Sequence, residues 1–280
     1  MSAAPLDIKL ARAEAILRDL GPVAVAFSGG VDSALVLKLA LNVLGRSGAV
    51  AVTSDSASVP RAELDAARRL ADELGAEHVV LATDEFEKPD YLANPANRCY
   101  FCKTTLYDHM VRFVADRGLA AIVNGVNADD LGDYRPGLKA AGEHAVRAPL
   151  AEAGLTKAEV RELSARFGLP TADKPASPCL SSRVPYGEAI TVEKLRMIEA
   201  AEAFLHQMGV RDCRVRHHDK LARIEVPTAE IPRLTEPATA ARIDAHFRSL
   251  GYAYVSIDLR GLRSGSLNEV IAFGKVQQAF

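Results

Sequence analysis

Six residues near the amino terminus, Ser28-Gly29-Gly30-Val31-Asp32-Ser33, combine what an anion-binding turn needs. They follow the apolar run Val23–Phe27, which reads as a strand. They lead into Ser33–Leu44, which reads as a largely buried helix with Leu37, Leu41 and Leu44 on one face. A helix start aims unpaired backbone N–H groups and the positive end of its dipole at an anion. Gly29 and Gly30 let the main chain approach phosphate oxygens, and Ser28 and Ser33 add hydroxyl donors. Asp32 is a poor phosphate ligand but a good ligand for a Mg2+ ion that bridges two phosphates. The loop lacks the Gly-Lys-Ser/Thr ending of a Walker loop, which argues against cleavage at the γ-phosphate, and it is not a GxGxxG dinucleotide turn.

The cysteines form a second group. Cys99 and Cys102 stand as Cys-x-x-Cys just ahead of a helix expected over Lys103–Arg117, and such a pair suits zinc, redox chemistry or an iron-sulfur cluster alike. Cys179 lies in Ser177-Pro178-Cys179-Leu180-Ser181-Ser182-Arg183, where Arg183 can stabilise a thiolate or hold a phosphate. Cys213, between Arg211 and Arg214 in an expected strand, reads as a small buried hydrophobe.

Arg214 and Arg216 alternate along that strand and share a face, which suits bidentate contact with a mononucleotide phosphate. A solvated face paired with Asp212 and Glu225 is the plainer alternative. His217 and His218 are adjacent in the strand and face opposite sides, which argues against a metal pair. Arg260–Asn268 carries a Gly/Ser turn that suits either a phosphate or a tight strand ending.

These groups need positioning. Further strands are expected at Ala49–Thr53, His78–Leu81 and Ala121–Asn124, with helices over Pro60–Leu74 and Thr156–Phe167. The last has Thr156 and Glu159 spaced as a capping box and Gly168 as its stop. Continuously apolar strands alternating with helices imply an α/β domain with a parallel sheet covered on both faces. Pro170–Pro185 reads as a functional loop between domains spanning roughly 1–185 and 186–280. The second is expected to be a smaller α+β unit: helices at Val192–Met208 and Pro237–Leu250, a hairpin from Arg211–His217 and Ala222–Val226, and a closing strand at Tyr252–Leu259.

Bulk properties narrow the function classes. A formal net charge of −2 calls for no nucleic acid as partner. No apolar run approaches the roughly 18 residues of a membrane helix, and the first residues are unlike a secretory signal. Four sparse cysteines fit the cytoplasm better than a disulfide framework.

The hexapeptide resembles the PP-loop of the N-type ATP pyrophosphatases. That resemblance implies a Rossmann-like sheet, cleavage between the α- and β-phosphates of ATP, and adenosine contacts at Thr53-Ser54-Asp55. Gly125, in Asn124–Asp130, falls at the carboxyl edge where open sheets bind ligands. Asp129 and Asp130 there are candidates to assist Mg2+ or to cap a helix.

The set SGGVDS, NRCYFCK, NGVNADD, KPASPCLSSR and RSGSLNEV, covering nearly the whole chain, is similar to the LarE family, the sulfur transferases that build the nickel-pincer nucleotide cofactor. This resemblance implies adenylylation of a carboxylate of pyridinium-3,5-biscarboxylic acid mononucleotide, followed by displacement of AMP by sulfur. Members with only the PCLSSR cysteine are similar to a sacrificial enzyme. Members with three cysteines are similar to a form that holds a [4Fe–4S] cluster and an extra sulfide. With Cys99, Cys102 and Cys179 present, the cluster is expected, and it requires the interdomain loop to fold over the start of the Lys103 helix.

The implied nucleotide-binding residues are Ser28, Gly29, Gly30, Val31, Asp32, Ser33, Ser54 and Gly125, with Asp32 and Cys179 catalytic. Arg183, Arg214 and Arg216 would bind substrate. The implied partners are a homo-oligomer, a hexamer by resemblance, a sulfide donor and other enzymes of the cofactor pathway. The alternatives are a zinc pair at Cys99 and Cys102, a PP-loop amide ligase, a tRNA thiolase and an adenine-nucleotide sensor without catalysis.

Overall fold

A computed structural model of the chain describes residues 5–132 and 136–263. These fall into two compact units, one from Met1–Tyr91 with Asn97–Ser177, the other from Leu92–Ala96 with Pro178–Phe280.

The first unit is built on four parallel strands in the order β3-β2-β1-β4: β1 (Val23–Ala26), β2 (Ala49–Asp55), β3 (Glu77–Ala82) and β4 (Ala121–Val123). Alternate strand residues serve opposite faces. Val23 and Val25 of β1, with Ala49 and Ala51 of β2, join one apolar core beneath α1 (Pro5–Leu20), α2 (Val31–Leu44), α3 (Arg61–Glu73) and α8 (Lys157–Arg166). Ala24, Val50 and Val52 join the other, beneath α5 (Arg98–Arg117) and α6 (Pro136–Glu143). A sheet buried on both faces explains why β1 and the first four residues of β2 are apolar throughout. Two single turns, α4 (Pro89–Leu92) and α7 (Pro149–Glu152), lie in the connections. The expected capping box is present: Thr156 accepts from the Glu159 N–H, and the Glu159 carboxylate accepts from the Thr156 N–H.

The second unit pairs β5 (Arg214–His218) antiparallel with β6 (Leu221–Glu225), and β6 parallel with β7 (Tyr254–Ile257). Val215, Ala222 and Ile224 pack on α9 (Val192–Gln207) and α11 (Pro237–Ser249), with α10 (Ile231–Thr235) beside them. The loop that opens the unit is anchored by Asn94, wholly buried at φ 53°, whose amide donates to the Val184 and Pro185 carbonyls at 3.3 and 2.7 Å. Gly187 N–H returns a bond to the Asn94 carbonyl at 2.9 Å. Among the described residues no helix is long and apolar enough to cross a membrane.

Candidate functional site

The phosphate loop joins β1 to α2 at the carboxyl edge of the sheet. Gly29 has φ 67°, a left-handed conformation that glycine adopts freely. A Cβ there would stand 3.0 Å from Ala67 Cβ of α3. Gly30 precedes α2 in an extended conformation with no side-chain cap, so the first-turn N–H groups, which have no intrahelical partner, are left for an anion. Ser28 and Ser33 brace the turn: Ser28 N–H donates to Ser33 Oγ at 3.2 Å, and Ser33 Oγ donates to the Gly30 carbonyl at 3.2 Å. Lys174 Nζ donates to the Gly29 carbonyl at 3.1 Å and to Glu63 at 2.7 Å. In a trans peptide this turns the Gly30 N–H the opposite way from the lysine.

Neighbouring strand ends complete the edge. Gly125 follows β4 so closely that a Cβ would sit 2.7 Å from Ser33 N and 2.9 Å from Asp32 Cβ. Ser54 is half-buried near the end of β2. Beside it, Thr53 Oγ1 donates to the Phe27 carbonyl at 2.6 Å, so it accepts from His78 Nε2 at 2.8 Å. Burial, and then Arg68, lowers the His78 pKa, which keeps the ring neutral in that role.

Asp32, in the first turn of α2, accepts from Asn127 Nδ2 at 3.1 Å through one oxygen and from Lys157 Nζ at 2.5 Å through the other. Asp129 accepts the Lys157 N–H at the start of α8 (2.8 Å), and Asp130 accepts the Asn127 N–H (3.1 Å). Asp129 thus caps α8, and Asp130 closes a turn. Lys157 and Lys174 were missed in the sequence. A lysine directly after the cap residue Thr156, and another opening KPASPCLSSR, were the available signals.

Cys99 and Cys102 lie inside α5, which starts at Arg98 rather than at Lys103, so the pair is spaced i, i+3 on one helical face. Asn97, not a residue after the second cysteine, is where the chain turns into the helix. Cys99 is exposed, Cys102 and Cys179 are half-buried, and none of the three is in a disulfide. This donor set suits a thiolate-bound metal or cluster. Among the described residues, though, no three or more His, Cys, Asp or Glu side chains gather to hold a metal ion, and Cys179 belongs to the other compact unit.

Cys179 precedes a 3-10 turn, Leu180–Arg183. Arg183 is buried and clamps Glu202 of α9 in bidentate fashion at 2.9 and 3.0 Å, while its third nitrogen donates to the Pro178 and Cys179 carbonyls. It therefore holds the main chain of the cysteine loop. Cys213 is buried, and burial pushes its thiol pKa up, so it stays protonated.

On the sheet face away from the helices, Arg216 donates to Glu225 at 2.8 Å and to the Ser182 carbonyl at 2.7 Å. Arg223 joins Glu225 to Asp258, and Asp258 meets Arg263 at 3.3 Å. Arg214, half-buried, makes no hydrogen bond or ion pair among the described residues. Burial, followed by Arg216 and Arg183, lowers its pKa. A partly desolvated guanidinium beside two others is suited to an anion. His217 faces the helices and meets Tyr252 Oη at 3.2 Å. Of Arg260–Asn268, the part from Ser264 onward lies outside the described residues.

Comparison with known proteins bears on this geometry. The profile of the asparagine synthase family matches residues 8–107, which hold the phosphate loop. The chain is 45% identical to an uncharacterized protein of Synechocystis, over 95% of this chain and 99% of that protein. It is 41% identical to the pyridinium-3,5-bisthiocarboxylic acid mononucleotide synthase of Lactiplantibacillus plantarum, over 96% of both chains. A tRNA-specific 2-thiouridylase of Azorhizobium caulinodans is 32% identical over 65% of this chain and 55% of its own.

Proposed function

We propose, for a chain that belongs to the LarE family within the PP-loop ATP pyrophosphatases, that it catalyses ATP-dependent sulfur transfer to the carboxylates of pyridinium-3,5-biscarboxylic acid mononucleotide. In the first step a substrate carboxylate oxygen attacks the α-phosphorus of ATP. A P–O bond forms, the bond from the α-phosphorus to the bridging oxygen breaks, and pyrophosphate leaves with the electron pair. In the second step a sulfur nucleophile adds to the activated carbonyl carbon, the C–O bond to AMP breaks, and a thiocarboxylate remains. Two rounds give the bisthiocarboxylic product.

The residues divide the work. The first-turn N–H groups of α2, with Ser28 and Ser33, receive the phosphates, and fixed dipoles of this kind stabilise charge that develops on them without reorganising. Mg2+ would be held by Asp32 together with phosphate oxygens, and it would neutralise the departing pyrophosphate. Ser54 and Gly125 shape the nucleotide pocket. Arg214 receives the substrate phosphate, while Arg216 and Arg183 hold the arginine face and the cysteine loop. Cys99, Cys102 and Cys179 would ligate a [4Fe–4S] cluster, which would supply the sulfur from an iron that no protein thiol occupies. A soluble homo-oligomer in the cytoplasm, served by a sulfide donor, fits this role.

The observation that carries the reading is the phosphate loop between β1 and α2, with Asp32 held at its rim, in a chain that aligns with the Lactiplantibacillus synthase over 96% of both. The similarity to a tRNA thiolase reaches only 65% of this chain, and the net charge of −2 is unlike that of an RNA-binding surface. To test the proposal, anaerobically purified protein is incubated with ATP, Mg2+ and the pyridinium substrate. Pyrophosphate release and product mass are then followed. Pyrophosphate with the oxygen-to-sulfur mass gain supports it; pyrophosphate release that depends on ammonia or tRNA instead would refute it.

A further inference from the structure

The Asp32 carboxylate is engaged at both oxygens, and one of its partners carries a full charge. Lys157 reaches it across 125 residues of sequence at 2.5 Å, with side-chain exposures of 38% for the lysine and 24% for the aspartate. The lysine is not a loosely tethered surface group. Its own N–H is fixed by Asp129 at 2.8 Å. The residue before it, Thr156, closes a capping box with Glu159, and Glu159 in turn meets Lys9 at 2.7 Å. Only the side chain of Lys157 can move away from Asp32.

A second cation on the same oxygen would stand within a few ångströms of the ammonium, and like charges so close repel strongly where solvent is partly excluded. A divalent ion arriving alone must therefore displace Lys157 and leaves its charge without a partner. A divalent ion arriving on a nucleotide brings phosphate oxygens that can take the ammonium over. The anchored backbone keeps the displaced ammonium within a side chain's reach of the phosphate loop.

We propose that Lys157 is a positioning residue that competes with divalent metal for Asp32 and yields more readily to a metal–nucleotide complex than to the free ion, pairing afterwards with its phosphates. This rests on the reading of Asp32 as a metal ligand. The arrangement favours the complex over the free ion, so Lys157 holds Asp32 until metal and nucleotide arrive together.

Mn2+ serves as the probe, its free concentration read by paramagnetic resonance in titrations of the full-length protein with and without ATP. Lys157→Met and Lys157→Gln should each tighten binding of Mn2+ alone by about 3- to 5-fold, the range available from a partly exposed ion pair. The same variants should weaken binding of Mn2+–ATP. Lys157→Arg should behave as the wild type. A gain in affinity requires a folded site, so misfolding cannot imitate it. If both variants leave the affinity for Mn2+ alone unchanged while Asp32→Asn abolishes Mn2+–ATP binding, the competition is overturned and the reading of Asp32 stands. If Asp32→Asn binds Mn2+–ATP as the wild type does, the underlying reading of Asp32 fails.

Discussion

Gly125→Ala isolates how closely the end of β4 must approach the phosphate loop. The methyl group would stand 2.7 Å from Ser33 N, 2.9 Å from the Asp32 carbonyl carbon and 2.9 Å from Asp32 Cβ, where ordinary contact begins near 3.4 Å. Gly125 is not at positive φ, so the effect is steric and not a matter of backbone strain. The neighbours are the main chain of a helix start and cannot swing aside, so α2 or β4 must shift by about 0.7 Å in a close-packed region.

Overpacking of this kind costs about 1–3 kcal/mol of stability. A displacement approaching 1 Å at reacting groups costs up to about 100-fold in rate. The expected result is a loss of about 10- to 100-fold in pyrophosphate release, with a raised KM for ATP and a modestly lowered Tm. Steady-state pyrophosphate assays beside thermal denaturation measure these together. Gly142→Ala, in α6 with nothing within 4 Å of the added Cβ, is the control and should change neither. Wild-type kcat and KM in Gly125→Ala would refute the argument that this strand end positions Asp32 and Ser33.

Arg214→Ala should weaken substrate binding by about 10- to 150-fold with little change in Tm, whereas Arg216→Ala should cost about 3 kcal/mol or more of stability by leaving the fully buried Glu225 with one partner fewer; calorimetric titration and denaturation separate the two. Replacing Cys99, Cys102 or Cys179 by alanine should each remove most iron from anaerobically purified protein while pyrophosphate release persists, and a dehydroalanine at Cys179 after turnover of the wild type, seen by intact mass, would show sacrificial sulfur loss instead. Burial, then Lys194, lowers the His217 pKa from 6.5 to about 4, so the stability tied to its neutral form is whole above pH 6.5 and is lost as the pH falls toward 4. Tm measured across that window should drop in the wild type and flatten in His217→Gln, which keeps a partner for Tyr252.

The parts of the site that were readable in advance are those whose chemistry is local. A strand, six residues and a helix suffice to define the phosphate loop, and Thr156 and Glu159 define their cap within one turn. The Asp32 contacts were hidden because Asn127 and Lys157 lie 95 and 125 residues away, and no pattern in either segment points to the other. Period alone placed Arg214 and Arg216 on one strand face, but not the difference between them. That difference arises because Glu225 and the Ser182 carbonyl engage Arg216, while Arg214 makes no such contact among the described residues.

The helix carrying Cys99 and Cys102 was expected five residues too late, since a Cys-x-x-Cys run has no strong start signal and tertiary packing extends the helix back to Arg98. α1 went unread because its apolar face becomes meaningful only against α2 and α7. Leu92–Ala96 gave no sign of joining the second unit, because its role depends on one buried Asn94 reaching residues some ninety positions on.

Among the described residues, the hydrogen bonds that tie Cys179 to its scaffold run through main-chain atoms. Its carbonyl accepts from Arg183 and from the Ser182 N–H, at 3.0 and 2.9 Å, and the bidentate clamp on Glu202 secures that arginine. The bonds that hold the turn would be the same with a methyl or with a persulfide on the β-carbon at this position. Chemical change at the sulfur, whether gain, loss or exchange, therefore leaves the supporting bonds untouched, and the loop can serve as a fixed mount for an interchangeable atom.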